Sequence, residues 1–160
     1  MEASEKIKIF IVDDDAMFTD SLKHSLSGKR RKIHSFSNGE ECIGNLHEDP
    51  HIIVLDYVLN DSMNGLQVLN QIRHDKPETR VIMLSGIDNT NIVNDTLKYG
   101  ACDFIEKDET ALLRLKKEIN EICDEIEAVS EIEKEDNKML WINAGIIVLI
   151  ILGFILTHVK

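Results

Sequence analysis

Four acidic residues stand directly behind apolar runs of this 160-residue chain: Asp13-Asp14-Asp15 follow Ile7-Lys-Ile-Phe-Ile-Val12, and Asp56 follows Ile52-Ile-Val-Leu55. Two further apolar runs end on Ser85-Gly86 and on Glu106-Lys107. Carboxylates gathered within a few ångströms repel one another and call for a cation, and ligation by oxygen alone favours Mg²⁺ with its octahedral, partly hydrated shell. A lysine beside them can pair with an anion carried by one carboxylate. The chemistry this combination suggests is phosphoryl transfer onto an aspartate.

That chemistry requires distant residues to converge, and the intervening pattern supplies the means. Short apolar runs at Ile7 to Val12, Lys32 to Phe36, Ile52 to Leu55, Val81 to Leu84 and Asp103 to Ile105 alternate with stretches of helical spacing, such as Leu66, Leu69 and Ile72 with Val68, or Ile92, Val93 and Leu97. Gly28, Pro50, Pro77 and Gly100 punctuate the joints. Near-continuous apolar strands between helices predict an α/β domain with a doubly wound, five-stranded parallel sheet covered on both faces. In such sheets sites form at the C-terminal ends of the strands, where the acids, the serine and the lysine stand.

Composition narrows the function. The length suits one domain with some residues left over. A net charge of −11, from 18 Lys plus Arg against 29 Asp plus Glu, repels nucleic-acid phosphates and argues against nucleic acid as a partner. Cys42, Cys102 and Cys123 are widely spaced and form no metal-chelating pair, so they read as small apolar residues in a reducing compartment. The six histidines share no motif and read as surface residues.

The two ends carry further expectations. Met1 to Lys8 is polar and lacks the apolar stretch of a secretory signal peptide. Met139 to Val159 is a run of 21 residues without Asp, Glu, Lys or Arg, which as a helix would span about 31 Å. The expectation is a single-pass C-terminal transmembrane helix over 139–159, anchoring the protein to the cytoplasmic membrane with the first domain in the cytoplasm; a buried core helix is the alternative. Between domain and run, Leu112, Leu115, Ile119, Ile122, Ile126 and Val129 fall at heptad spacing. Residues 118–136 hold nine acids against one base, which makes 126–138 an acidic helical linker and a self-paired stalk, hence a homodimer, a minority expectation.

Taken in order, these pieces resemble the receiver domain of two-component response regulators over about residues 5–125. The resemblance rests on Phe10-Ile-Val-Asp-Asp-Asp15, Val54-Leu-Asp56, Met63-Asn-Gly65-Leu, Leu84-Ser85-Gly86 and Gly100-Ala-Cys-Asp-Phe-Ile-Glu-Lys107. It implies a flavodoxin-like receiver fold over 1–125 and Asp56 as the phosphoacceptor. It further implies Mg²⁺ held by Asp13, Asp14, Asp56 and the backbone carbonyl of Val58, with Ser85 and Lys107 on phosphoryl oxygens and Gly86 leaving room. Asp15 is then the N-cap of the first helix, although Asp14 with Asp15 is a rival metal register. Ser85 and Phe104 match the family's switch pair, while Phe104 equally fits plain core packing. Val58 and Ile87 match positions that flank the path of an attacking water.

Two departures stand out. Asp108 occupies the place where family members usually carry proline after the lysine, so the Lys107 loop is expected to be held differently. The loop from Asp56 to Gly65 lacks the customary proline, is one residue longer, and carries Asp61, which is expected to disturb the metal site or the partner surface. The function implied is a membrane-anchored response regulator, phosphorylated by a histidine kinase or histidine phosphotransfer protein, that acts through an unknown downstream protein or by phosphorelay. No enzyme activity is expected beyond Mg²⁺-dependent self-phosphorylation and self-dephosphorylation. The alternatives are a phosphorylation-independent membrane scaffold and a phosphohydrolase with Asp13 as nucleophile and Asp15 as acid; the latter lacks the usual threonine and cap domain.

Overall fold

The computed structural model describes residues 6–59, 63–86 and 90–158, with side chains except at 90, 91 and 150–158. In chain order the elements are β1 (Ile7–Val12), α1 (Ala16–Leu26), β2 (Arg31–Phe36), α2 (Gly39–Gly44), β3 (Ile52–Asp56), α3 (Gly65–Asp75), β4 (Arg80–Ser85), α4 (Thr90–Lys98), β5 (Asp103–Glu106) and α5 (Ala111–His158), with a 3₁₀ turn over Leu46–Glu48. The strands form one parallel sheet in the order β2-β1-β3-β4-β5. This is the order of the five-stranded, flavodoxin-like fold that the resemblance implies.

All five residues of β3 are buried, and so are the last four of β1 and of β4. Strands enclosed on both faces read as apolar runs because neither set of alternating side chains meets water. Phe10, Val12, Ile53, Leu55, Val81 and Met83 join Cys42 of α2 and Val68, Leu69 and Ile72 of α3 in one core cluster. Leu22 and Leu26 of α1, and Ala111, Leu115 and Ile119 of α5, are buried outside that cluster, as are the alternate strand residues Ile9, Ile11, Val54, Ile82 and Leu84. Cys42 and Cys123 are buried and Cys102 is exposed, all as free thiols. Burial pushes the Cys42 thiol up to about 12, so it behaves as the apolar filler the sequence suggested.

The start of α3 is set by its own residues. Asn64 Oδ1 accepts from Gln67 N and Gln67 Oε1 accepts from Asn64 N, both at 3.0 Å, a reciprocal cap that satisfies two amide donors. Gly65 N donates to Tyr57 O at 2.9 Å, and a Cβ at position 65 would lie 2.2 Å from the Asp56 carbonyl oxygen. Glycine is therefore required there by the close approach of the β3 end to the first turn of α3.

The chain divides into two compact units, Met1–Ile119 and Asn120–Lys160. The second is helical throughout its described residues, as part of α5. Along the heptad seam, Leu115, Ile119 and Ile122 are buried, Leu112 and Ile126 are half-buried and Val129 is exposed. Among the described residues no helix is long and apolar enough to cross a membrane. That corrects the expectation of a transmembrane helix over 139–159 and of a location in the cytoplasmic membrane. The apolar run is not a helix of its own: it continues, without a break, the stretch of α5 that carries Glu133, Lys134, Glu135, Asp136 and Lys138. Val159 and Lys160 lie outside the described residues.

Replacing Gly65 by alanine drives a methyl group into the Asp56 carbonyl, and Gly65→Ala is expected to cost about 2 kcal/mol. Gly44→Ala, where an added Cβ meets nothing within 4 Å, is the control and should cause no such loss. Urea unfolding of the full chain, read as a lower midpoint at unchanged slope, checks the difference.

Candidate functional site

Strand register brings the chemical residues to one edge. Asp13 follows the last residue of β1, Asp56 is the last residue of β3, Ser85 is the last of β4, and Lys107 follows β5. Because neighbouring strands run parallel with Val12 beside Leu55, Asp56 beside Leu84 and Ser85 beside Glu106, all four strands end at nearly the same level. Backbone bonds then carry the order past the strands: Tyr57 N donates to Leu84 O and Lys107 N to Ser85 O, each at 2.8 Å.

Asp13 and Asp56 are only 3% and 4% exposed. Asp13 Oδ1 accepts from Asp15 N at 2.9 Å, while Asp15 Oδ1 accepts from Met17 N at 2.9 Å and Phe18 N at 3.1 Å. Asp15 is thus the N-cap of α1, where a carboxylate meets free amide donors and the positive end of the helix dipole. Asp56 Oδ1 accepts from Val58 N at 3.2 Å. One carboxylate oxygen each from Asp13, Asp14 and Asp56 can be chosen so that all lie within 4.8 Å of one another.

The Lys107 ammonium sits between the two buried carboxylates, 2.7 Å from Asp13 Oδ2 and 2.5 Å from Asp56 Oδ2. Burial pushes the Asp56 carboxyl above its ordinary range, although the hydrogen bond from Lys107 acts in the opposite sense. For Lys107, burial disfavours the charged form, but the close contacts with Asp13 and Asp56 outweigh it and hold the ammonium above its ordinary value.

An oxygen-only donor set of this kind fits a hard divalent cation. Asp13 Oδ2 adds a specific sign: it is fully buried and makes no well-aligned hydrogen bond, its pairing with Lys107 resting on charge. Three carboxylates against one ammonium leave room for further positive charge.

Ser85 is fully buried, and a Cβ added at Gly86 would meet open space. Val58 is 45% exposed. Phe104 is half-buried and packs against the core cluster, which is the plain packing half of its two expected roles. Ile87 and Asp61 lie outside the described residues.

The loop after Lys107 is held by Asp108. Asp108 Oδ1 accepts from Thr110 N at 2.8 Å and Thr110 Oγ1 at 2.7 Å. Arg114 Nη2 donates to Glu106 O at 2.8 Å and to Asp108 Oδ2 at 2.9 Å. The bonds from Thr110 hold the Asp108 carboxyl below its ordinary range. By bonding Thr110 just ahead of α5 and pairing with Arg114 in its first turn, Asp108 fixes the loop without proline. The Asp108, Thr110, Arg114 spacing was readable as a helix start. Phe18, whose ring lies under the Lys107 ammonium at 5.1 Å from the centroid, gave no such sign, because the two residues meet only through the fold.

The sequence profile of the response regulator receiver domain matches residues 9–120. The chain belongs to this receiver domain family. It is 33% identical over 103 residues to the chemotaxis protein CheY of Listeria monocytogenes, covering 63% of this chain and 86% of that protein. It is 31% identical over 109 residues to a cyclic di-GMP phosphodiesterase of Thermotoga maritima, covering 68% of this chain but only 29% of that protein. A protein-glutamate methylesterase of Paramagnetospirillum magneticum is likewise matched over 30% of its length. Receiver domains are in general regulators, and in these enzyme relatives the receiver is a minor part. Among solved structures, the BeF3-activated DrrB receiver domain is 26% identical, with a TM-score of 0.68 over 74% of this chain and 98% of that one. A CheY-like receiver protein from Methanospirillum hungatei gives 26% and 0.69 over 78% and 98%. As a receiver, the chain carries the family's acidic pocket in Asp13, Asp14 and Asp56.

Removing the ammonium should expose how much repulsion it offsets. Lys107→Met leaves two buried carboxylates facing each other and is expected to lower stability by about 3 kcal/mol near pH 7. Asp56 is already raised by burial, so the folded state takes up a proton there more readily than the unfolded chain. The loss should therefore shrink as pH falls through the carboxylate range, and denaturant titrations at about pH 7 and about pH 5 check both the size and the direction.

Proposed function

We propose that the chain is a response regulator receiver in which Asp56 accepts a phosphoryl group from a histidine kinase or histidine phosphotransfer protein. The observation that carries this reading is the placement of one buried carboxylate, Asp56, within reach of Asp13, Asp14 and the Lys107 ammonium at a single sheet edge. Asp56 is the acceptor because it ends the central strand β3, between the β1 end that carries Asp13 and Asp14 and the strands β4 and β5 that lead to Ser85 and Lys107.

In the transfer, an Asp56 carboxylate oxygen attacks phosphorus and forms a new P–O bond. The P–N bond of the donor histidine breaks, and the imidazole nitrogen leaves with the electron pair. Asp13, Asp14, Asp56 and the Val58 carbonyl would hold Mg²⁺, which when bound would supply positive charge against the attacking carboxylate and the incoming phosphoryl group. Lys107 pairs with a phosphoryl oxygen, and Ser85 donates a hydrogen bond to another. The open space over Gly86 suits an incoming group.

The output reading is that phosphorylation repacks β4, α4 and β5 through Ser85 and Phe104, and that the signal leaves by protein–protein interaction or onward phosphotransfer. Phe104 is suited to this by being only partly enclosed, so its ring has an alternative to the core.

Acetyl phosphate should label the full chain only when Mg²⁺ is present, and Asp56→Asn should abolish the label. Mg²⁺ alone should raise the thermal midpoint, because it binds the folded state, and Asp13→Asn should remove that rise. Persistent labelling of Asp56→Asn would place the acceptor elsewhere; a folded wild-type chain that takes no label would point to a binding module independent of phosphorylation.

A further inference from the structure

Lys107 has a third neighbour besides its two carboxylates. Its ammonium lies over the ring of Phe18, 5.1 Å from the centroid, inside the range of about 6 Å over which an aromatic face attracts a cation. Phe18 is half-buried in the first turn of α1, and its amide donates to Asp15 Oδ1 at 3.1 Å. Asp15 N in turn donates to Asp13 Oδ1. The ring is therefore fixed by the same capped turn that fixes Asp13, and a closed circuit of contacts runs from Asp13 through Asp15, Phe18 and Lys107 back to Asp13.

We propose that Phe18 is a positioning residue that holds the Lys107 ammonium over the site while its carboxylate partners are engaged elsewhere. The inference rests on the reading of Asp56 as phosphoacceptor. During transfer Asp56 gives an oxygen to phosphorus, so Lys107 must exchange that carboxylate for a phosphoryl oxygen. A third carboxylate in place of the ring would compete for the ammonium and repel the phosphoryl group. An aromatic face attracts the ammonium without carrying net charge and without offering a lone pair that the phosphoryl oxygen has to displace. Lysine has a flexible four-carbon stem and no geometric preference of its own, so an anchor of this kind determines where its charge sits. A leucine of similar reach would fill the space but would not hold the cation.

The test separates attraction from packing. In the full chain, Phe18→Leu should slow Mg²⁺-dependent labelling by acetyl phosphate about fivefold, whereas Phe18→Tyr should stay within about twofold of the natural protein. Replacing the Phe18 ring by its mono-, tri- and pentafluorinated analogues changes its shape little and progressively reverses the charge on its face. The rate should fall step by step along that series. A readout independent of labelling is the proton shift of the Lys107 ε-methylene group. A ring face shields those protons, so they should resonate upfield in the natural protein and in Phe18→Tyr, and return to the ordinary position in Phe18→Leu. The upfield shift should persist with Mg²⁺ and beryllofluoride bound. A flat rate across the fluorinated series, or an ordinary ε-methylene shift in the natural protein, overturns the positioning role. Labelling that survives Asp56→Asn overturns the phosphoacceptor reading instead, and the ε-methylene shift still decides whether the ring holds the lysine.

Discussion

Two carboxylates, Asp13 and Asp56, are buried at the ends of neighbouring strands, where their repulsion would open the sheet edge if nothing stood between them. The Lys107 ammonium stands there, within ion-pair distance of both. Burial raises Asp56 and is outweighed at Lys107, so the pair of acids and the lysine stabilise each other's charged forms in a place that favours neither alone. Much of the surrounding structure serves this three-way contact. The parallel register levels the strand ends, Asp15 ties Asp13 to α1, Gly65 lets α3 start against the Asp56 backbone, and Asp108 with Arg114 pins the loop that carries Lys107.

The same arrangement explains why the site suits a reaction in which charge arrives and leaves. A parallel sheet closes its sides with helices and leaves only the strand ends open, so polar groups gather there, and backbone bonds between strands help to hold them. Ser85 illustrates the effect, being fully buried while its carbonyl accepts the Lys107 amide. Positive charge is the element in short supply, since one ammonium stands against three carboxylates.

Beyond residue 119 the chain is a continuation of α5 and follows other rules. Its acids keep one stretch of the helix solvated, and the heptad seam passes from buried at Ile122 to half-buried at Ile126 and exposed at Val129. An apolar run read by itself suggested a membrane span. In the structure it is the end of a 48-residue helix, and no described helix meets the requirement for crossing a membrane. Hydropathy read over the run alone leaves out the charged stretch of the same helix that leads into it.

The alternation of apolar runs and helical spacing determined the α/β class, the parallel sheet and the edge where Asp13, Asp56, Ser85 and Lys107 would meet, because enclosed strands and amphipathic helices leave periodic marks in any chain. The Asp15 cap was legible for the same reason, since a cap acts between residues a few positions apart. Only the tertiary structure decided that Lys107 bridges both acids, that Phe18 lies beneath it, and that Asp108 with Arg114 takes over the place of a proline. Contacts of the first two kinds join residues about 50 to 95 positions apart whose side chains must choose among several partners, and that choice is made by burial and distance after the strands have paired.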